Sequence, residues 1–409
     1  MPSSTRPADQ KDSSSAPVTG LSLSAVATGF LVALVGYASS VAVVIQGLAG
    51  VGADTAQIAS GLAALGVSMG LAAILLASWQ RKPISIAWTT PGMALLAATG
   101  PVAGGFPAAV GAFLTVAVLV MATGLWTPLG RWIAAIPKPL ANAMLAGILL
   151  KLCLAPFAAM AQAPGLGLLV LVTWAVVGRF ARLYAVPAAV AVALAAMALN
   201  PPDAGGAFTG FALPSLSLVT PVFTWEALVG VALPLFVVTM ASQNIPGLTV
   251  LATFGYTPRV PPVFLVTGAL SALTAPFGAP TINLAAITAA LCAGPDADPQ
   301  PERRWQAAVV GGIGYILLAG LAAVTATLVL RSPPILIEAV AGLALIGAFG
   351  GALLGAVQVE EERVPALMTL LVTASGLSFW GVGSAFWGLL FGGAMHALHH
   401  WRPAGSKAV

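Results

Sequence analysis

Charge is what this 409-residue sequence has least of: sixteen basic and twelve acidic side chains, 7% of the chain. A soluble domain carries roughly 25%, so there is too little here to clothe a water-facing surface. Cysteine is almost absent, and Cys153 and Cys292 both sit inside apolar runs, which excludes a disulfide framework. Histidine occurs only as His396, His399 and His400, beside Trp401 and Arg402, a grouping that reads as an interfacial belt and not as a metal set. No Walker loop, paired Cys/His spacing or G-x-S-x-G elbow is present. ATP-driven transport, hydrolysis and a metal or organic cofactor are therefore not expected. The net charge of +4 carries topological information and marks no nucleic-acid partner.

What is abundant is apolar sequence, 59% of the residues, with a mean hydropathy of +0.99. The runs are long and continuous, without the alternation of a membrane barrel, so the fold class is an all-α polytopic membrane protein. Residues 1–20 are Ser/Pro-rich, lack the order of a cleaved signal, and read as a disordered cytoplasmic tail. Apolar segments follow at about 22–45, 56–79, 83–100, 106–129, 138–158, 164–181 and 184–199, then a polar extracytoplasmic connector at about 200–223. A second set lies at about 225–243, 260–276, 277–294, 304–330, 334–357, 363–379 and 384–401. With both termini cytoplasmic, 14 of the 16 basic residues fall inside; only Lys151 and Arg331 do not. Lys151 is expected to snorkel to the outer surface.

Seven crossings per half turn the second half upside down relative to the first. Weak self-similarity at an offset near 195–200 residues supports an inverted repeat of 21–199 and 224–401. Ile45-Gln46-Gly47-Leu48 returns as Ile245-Pro246-Gly247-Leu248, Gly100-Pro101 as Gly294-Pro295, and Ala108-Ala109-Val110 as Ala307-Ala308-Val309. Asn142 in segment five has its counterpart in Glu338 of segment twelve. Small-residue spacings at Gly66/Gly70, Gly351/Gly355 and Gly388/Gly392 suggest close helix packing or a homodimer surface.

Segments three and ten are the odd ones. "PISIAWTTPGMALLAATG" (83–100) begins as strand-like sequence and turns helical at Pro91; "PFGAPTINLAAITAALCAG" (276–294) begins extended and is expected to turn helical near Asn283. Roughly ten helical residues span half of a ~30 Å hydrocarbon core. The extended halves must therefore be buried or line a cavity. In opposite orientations, both half-helices start near the midplane, capped by Thr89 or Thr90 and by Asn283. Two converging N-termini offer an anion site without a buried cation.

These two stretches, together with "TMASQNIPGLTVLATFGY" (239–256) and the Arg-Arg pair at 303–304, resemble the benzoate membrane transporter family over nearly the whole chain after the tail. That family is similar in architecture to nucleobase and sulfate transporters with seven plus seven inverted segments. The resemblance implies a core domain from segments 1–4 and 8–11 and a gate domain from segments 5–7 and 12–14. It implies proton-coupled import of an aromatic carboxylate, most simply benzoate, across the inner membrane, with substrate held between Ser85, Trp88, Thr89, Thr90, Pro91, Thr281, Ile282, Asn283, Leu284 and the Ser-Gln-Asn of segment eight. Related nucleobase carriers place carboxylates in segments eight and ten. This chain has Gln243, Asn244, Thr281 and Asn283 there, which suits an anionic substrate. The alternatives are a nucleobase or other small organic anion carrier of the same fold, or an anion channel.

Individual residues keep more than one reading. Gln243 and Asn244 contact a carboxylate, brace unwound backbone, or cap the helix before the Pro246-Gly247 break. Tyr37 flanks an aromatic ring or simply packs, and Trp88 stacks on a ring or fills an interface. Glu338 and Glu226 are the acids that approach the bilayer, and Glu338, opposite Asn142, is the candidate for gating or proton relay. In the rival account the proton travels on the substrate itself.

Overall fold

The computed structural model describes residues 20–126, 128, 136–199, 214–330, 334–380 and 382–400. The expected tail up to residue 19, most of the connector, Arg331, Pro333, Trp401 and Arg402 lie outside the described residues. In chain order the first half holds α1 (Leu23–Gly50), α2 (Thr55–Gln80), strand β1 (Ile86–Trp88), α3 (Thr90–Thr99), α4 (Gly105–Leu125), α5 (Lys138–Gln162), α6 (Pro164–Phe180) and α7 (Ala185–Leu199). The second holds α8 (Trp225–Thr253), α9 (Val260–Thr274), strand β2 (Ile282–Leu284), α10 (Ile287–Ala293), α11 (Trp305–Ala319), α12 (Ala322–Leu330), α13 (Pro334–Val357), α14 (Arg363–Ala374) and α15 (Ser384–His400).

Among the described residues, seven helices are long and apolar enough to cross a membrane: α1, α2, α4, α5, α8, α9 with its 3₁₀ extension to Phe277, and α13. At 1.5 Å per residue the shortest of them exceeds about 25 Å. The protein is a mostly helical, polytopic membrane protein. Apolar side chains cover these helices all round, so they are held by shape and not by an apolar stripe facing water. Gly66 and Gly70 of α2 lie against Tyr315, Ala319 and Gly312 of α11, with no room for a methyl group. Gly388 and Gly392 of α15 seat the hydroxyls of Thr373 and Thr369 in α14. Gly355 meets Asn142, whereas Gly351 faces open space. The main packed pairs are α5 with α13, α2 with α11, α4 with α9, and α1 with α3 and α11; α14 packs with α15 as α6 does with α7.

Three local expectations need correction. Segment eight does not break at Pro246-Gly247. The helix continues to Thr253 through two wider π-turns, Leu228–Ala232 and Met240–Asn244. The second lies just before Pro246 and absorbs its missing N–H and ring bulk by inserting an extra residue. Segment eleven breaks between α11 and α12, with a 62° bend at Gly320-Leu321. Segment ten turns helical only at Ile287, not near Asn283, because the backbone of residues 282–284 is claimed by β1.

The loops sort to two faces. On one, Arg81 lies 4.4 Å over the Trp305 ring, Lys82 donates to the Thr257 carbonyl, and the Tyr256 hydroxyl donates to Pro301 O at 2.7 Å. Arg303 there reaches the carbonyl of Gly20 at 2.7 Å. On the other face, Val222 N–H donates to Pro107 O at 3.0 Å and Val219 N–H to Pro276 O at 2.7 Å. The Ser60 hydroxyl donates to Phe277 O at 2.9 Å beside them.

Candidate functional site

The site is built where β1 and β2 meet. They pair antiparallel in the register Ile86↔Leu284, Ala87↔Asn283 and Trp88↔Ile282, and Ala285 N–H adds a bond to Ser85 O at 3.0 Å. Two short stretches nearly 200 residues apart thus satisfy each other's peptide groups in an interior without water. After β1, Thr89 accepts from Gly92 N–H through its hydroxyl at 3.2 Å, and Pro91 occupies the first helical turn of α3. Thr239 of α8 donates to the same Thr89 oxygen at 3.1 Å, tying the cap to the neighbouring helix. Between Thr89 and Thr90, Thr89 is the cap.

The start of α10 differs. Ala286 stands at its cap position and no side chain bonds the first turn, so the leading N–H groups carry no side-chain partner. α10 has seven residues, so its dipole is small. The first-turn N–H groups, without a capping side chain, are what it offers.

Beside this uncapped turn lies a cavity of about 250 Å³. That is below the 300–1,000 Å³ of drug-sized ligand sites and suits a single-ring molecule. Ala87, Trp88, Thr90 and Pro91 line it from the β1–α3 side, Ala285–Thr288 and Leu291 from the β2–α10 side, and Gln243 from α8. Val35, Gly36, Ser39 and Ser40 of α1 and Tyr315 of α11 complete that wall, while Ala344, Leu345 and Ala348 of α13 and Arg182, Leu183 and Val186 face it. The Trp88 indole donates to the Ser40 hydroxyl at 2.8 Å, which itself donates to Gly36 O at 2.9 Å. The Tyr37 ring lies 5.5 Å from Trp88, centroid to centroid and tilted by 53°. Ile287, 79% exposed, projects into the open space.

The structure therefore brings Trp88, Thr90, Pro91 and Gln243 to one cavity wall. Tyr37 stands behind Trp88, its hydroxyl spent on Thr325 at 3.3 Å. Ser85 is buried and shares a 2.8 Å hydrogen bond with Thr288. Asn244 is fully buried, and its Oδ1 accepts the Leu284 N–H of β2 at 3.0 Å. Thr281, Ile282, Asn283 and Leu284 are buried in and beside β2 and do not reach the cavity wall. Asn283 is a strand residue and caps nothing: its amide donates to Leu284 O at 2.8 Å, and its Oδ1 has no hydrogen-bond partner among the described residues.

Glu338 lies elsewhere. It lines a second cavity of about 610 Å³ with Lys151, Gln46, Ala49, Ala97 and Ala98, at the far end of α3. Lys151, an exposed residue, is on the lining of this cavity. Asn142 is half-buried against Gly355 in the α5–α13 contact and lines neither cavity. Sequence reading missed Arg182, Thr288, Ser40 and Tyr315. In the sequence Arg182 counts only among the basic residues on the cytoplasmic side, and nothing local marks the other three.

Comparison with known proteins agrees with this architecture. Residues 19–398 match the family described as benzoate membrane transport protein. The chain is 41% identical over 371 residues to the inner membrane protein YdcO of Escherichia coli strain K12, covering 90% of this chain and 94% of that one. It is 31% identical over 375 residues to the benzoate membrane transport protein of Acinetobacter baylyi, covering 91% and 94%. Among solved structures, the transmembrane domain of a cyanobacterial bicarbonate transporter, BicA, superposes with a TM-score of 0.58 at 14% identity, over 90% of this chain and 97% of that one. At that identity the likeness speaks for the fold alone. The chain is a membrane transporter and not an enzyme, and it belongs to the benzoate membrane transport protein family.

Proposed function

We propose that this protein imports an aromatic carboxylate, benzoate in the first instance, together with protons, by alternating access across the inner membrane. The observation that carries this reading is the chemistry of the 250 Å³ cavity. It has an aromatic wall at Trp88, amide donors at Gln243 and the uncapped first turn of α10, Arg182 on its lining and, among the described residues, no acidic side chain there. A carboxylate finds donors there and a ring finds apolar surface. A fixed acid would repel the first.

In this reading β1 with α3 and β2 with α10 are two broken crossings, and the chain crosses fourteen times as two inverted sets of seven. The packing supports that arrangement: exchanging each segment with its counterpart seven places on turns the α2–α11 pair into α9–α4, and the α6–α7 pair into α14–α15, all of which pack. Segments 1–4 and 8–11 form a core that rocks against a gate of segments 5–7 and 12–14. The face carrying Arg81, Lys82, Arg303 and Gly20 is cytoplasmic, with both termini on that side. The cavity beside Arg182 is then the inward mouth.

Radiolabelled benzoate uptake into proteoliposomes under an imposed pH gradient tests the proposal, with substituted benzoates and uracil as competitors. Saturable uptake that collapses with the gradient, and that benzoates but not uracil suppress, is the expected result. Uptake indifferent to the gradient removes proton coupling; suppression by uracil alone removes the carboxylate. Glu338→Gln in the same assay separates the two proton routes, since unchanged coupling leaves the proton on the substrate.

A further inference from the structure

Among the described residues, one cluster of metal-type ligands lies well away from the transport cavity. Glu362 ends the short 3₁₀ turn Glu360–Glu362 that leads into α14, and His396 and His400 occupy successive turns of α15 on one face. His396 Nδ1 stands 2.6 Å from Glu362 Oε2, and His400 Nε2 stands 3.7 Å from Glu362 Oε1. One ligand atom from each of the three falls within 4.8 Å of the others. The imidazole rings lie 4.3 Å apart, tilted by 39°.

The orientation of the second imidazole adds to this. His400 Nδ1 lies 3.0 Å from the carbonyl oxygen of His396. A carbonyl can only accept, so this nitrogen donates, and Nε2 is the ring atom turned toward the carboxylate. A backbone carbonyl holding the distal N–H is how metal-binding histidines are commonly oriented. A pairing of His396 with Glu362 alone leaves the second imidazole nitrogen, which stands toward the other carboxylate oxygen, without a role.

We propose that Glu362, His396 and His400 form a binding site for a divalent transition metal of the zinc(II) class. Two imidazole nitrogens and one carboxylate oxygen are a borderline-soft set suited to that ion, with water completing the shell. Zinc ligands at about 2.0–2.2 Å from the ion stand roughly 3.3–3.6 Å apart in a tetrahedron. Here the 2.6 Å contact opens by up to about an ångström, and the widest separation, no more than 4.8 Å, closes by at most about 1.5 Å. The proton shared by His396 and Glu362 leaves to solvent as the metal takes its place. The bound ion would staple the start of α14 to the end of α15, two helices already packed along Gly388 and Gly392, and so stiffen that pair where it meets the aqueous phase.

The test uses the full-length protein in detergent, purified through a tag without histidine and titrated with Co²⁺, whose visible absorption reports its coordination. The expected outcome is a saturable band, abolished by competing Zn²⁺. Glu362→Gln and His400→Gln each weaken Co²⁺ affinity tenfold or more, while His399→Gln leaves it unchanged. His400 is more than half exposed, so its variant folds, and size-exclusion behaviour verifies this. Absence of a band in the wild type overturns the proposal and leaves a hydrogen-bonded ion pair. So does an equal loss in His399→Gln, or an unchanged band in His400→Gln. Transport plays no part in the readout, so the result is independent of the substrate assignment.

Discussion

At the scale of single residues, buried position and chemical duty part company. Asn244 and Gln243 are neighbours on a π-turn, yet Asn244 spends its amide on the Leu284 N–H while Gln243 faces the cavity. The extra residue of the turn rotates one side chain inward to the strand and leaves the next toward open space. A hydrogen bond to a carboxylate contributes about 1.5–3 kcal/mol, which is one to two decades in affinity. Gln243→Ala is therefore expected to raise the KM for benzoate uptake at least tenfold while the protein keeps its thermal stability. Trp88→Phe keeps an aromatic face while losing the bond to Ser40 and part of the indole surface, so its KM should rise less. Equal KM in Gln243→Ala and wild type would show that the amide does not touch substrate.

At the scale of elements, the repeated tetrapeptides acquire a common job. Gly47 of α1 leaves no room for a Cβ against Met93 of α3, where its nearest neighbour would be the Met93 carbonyl at 2.7 Å; Gly247 of α8 does the same against Leu284 of β2, at 2.8 Å. Each glycine lets a long helix press onto a short broken element. Overpacking of this kind costs about 1–3 kcal/mol, so Gly47→Ala and Gly247→Ala should each lower the thermal unfolding temperature by several degrees. A drop in one variant and none in the other would argue against equivalent roles. The break at Thr89-Thr90-Pro91 was legible because proline and its cap are local signals. The start of α10 was not: Asn283 has the chemistry of a cap, but β1 claims its backbone from nearly 200 residues away, and pairing at that distance leaves no trace in either stretch. Arg182 was likewise visible only as a topological charge, because its relation to the cavity depends on how α13 and the α6–α7 corner pack against the strands.

For the whole molecule, the two cavities lie at opposite ends of α3. One opens beside Arg182 and reaches the α10 start; the other holds Lys151, Gln46 and Glu338 against Ala97 and Ala98. Alternating access requires that they communicate with opposite sides of the membrane and are never both continuous with the site. Ile287 and Ala49 are convenient reporters, one in each cavity. In a background lacking Cys153 and Cys292, Ile287→Cys should react with an impermeant thiol reagent in inside-out vesicles and be protected by benzoate. Ala49→Cys should react in right-side-out vesicles. Conditions that favour one conformation should speed one reaction and slow the other. Labelling of both cysteines from the same side would mean that the cavities share a mouth, and an alternating carrier could not be built from them. Opposed labelling with no reciprocal change would instead fit a fixed pore, which distinguishes a channel from a carrier without any measurement of current.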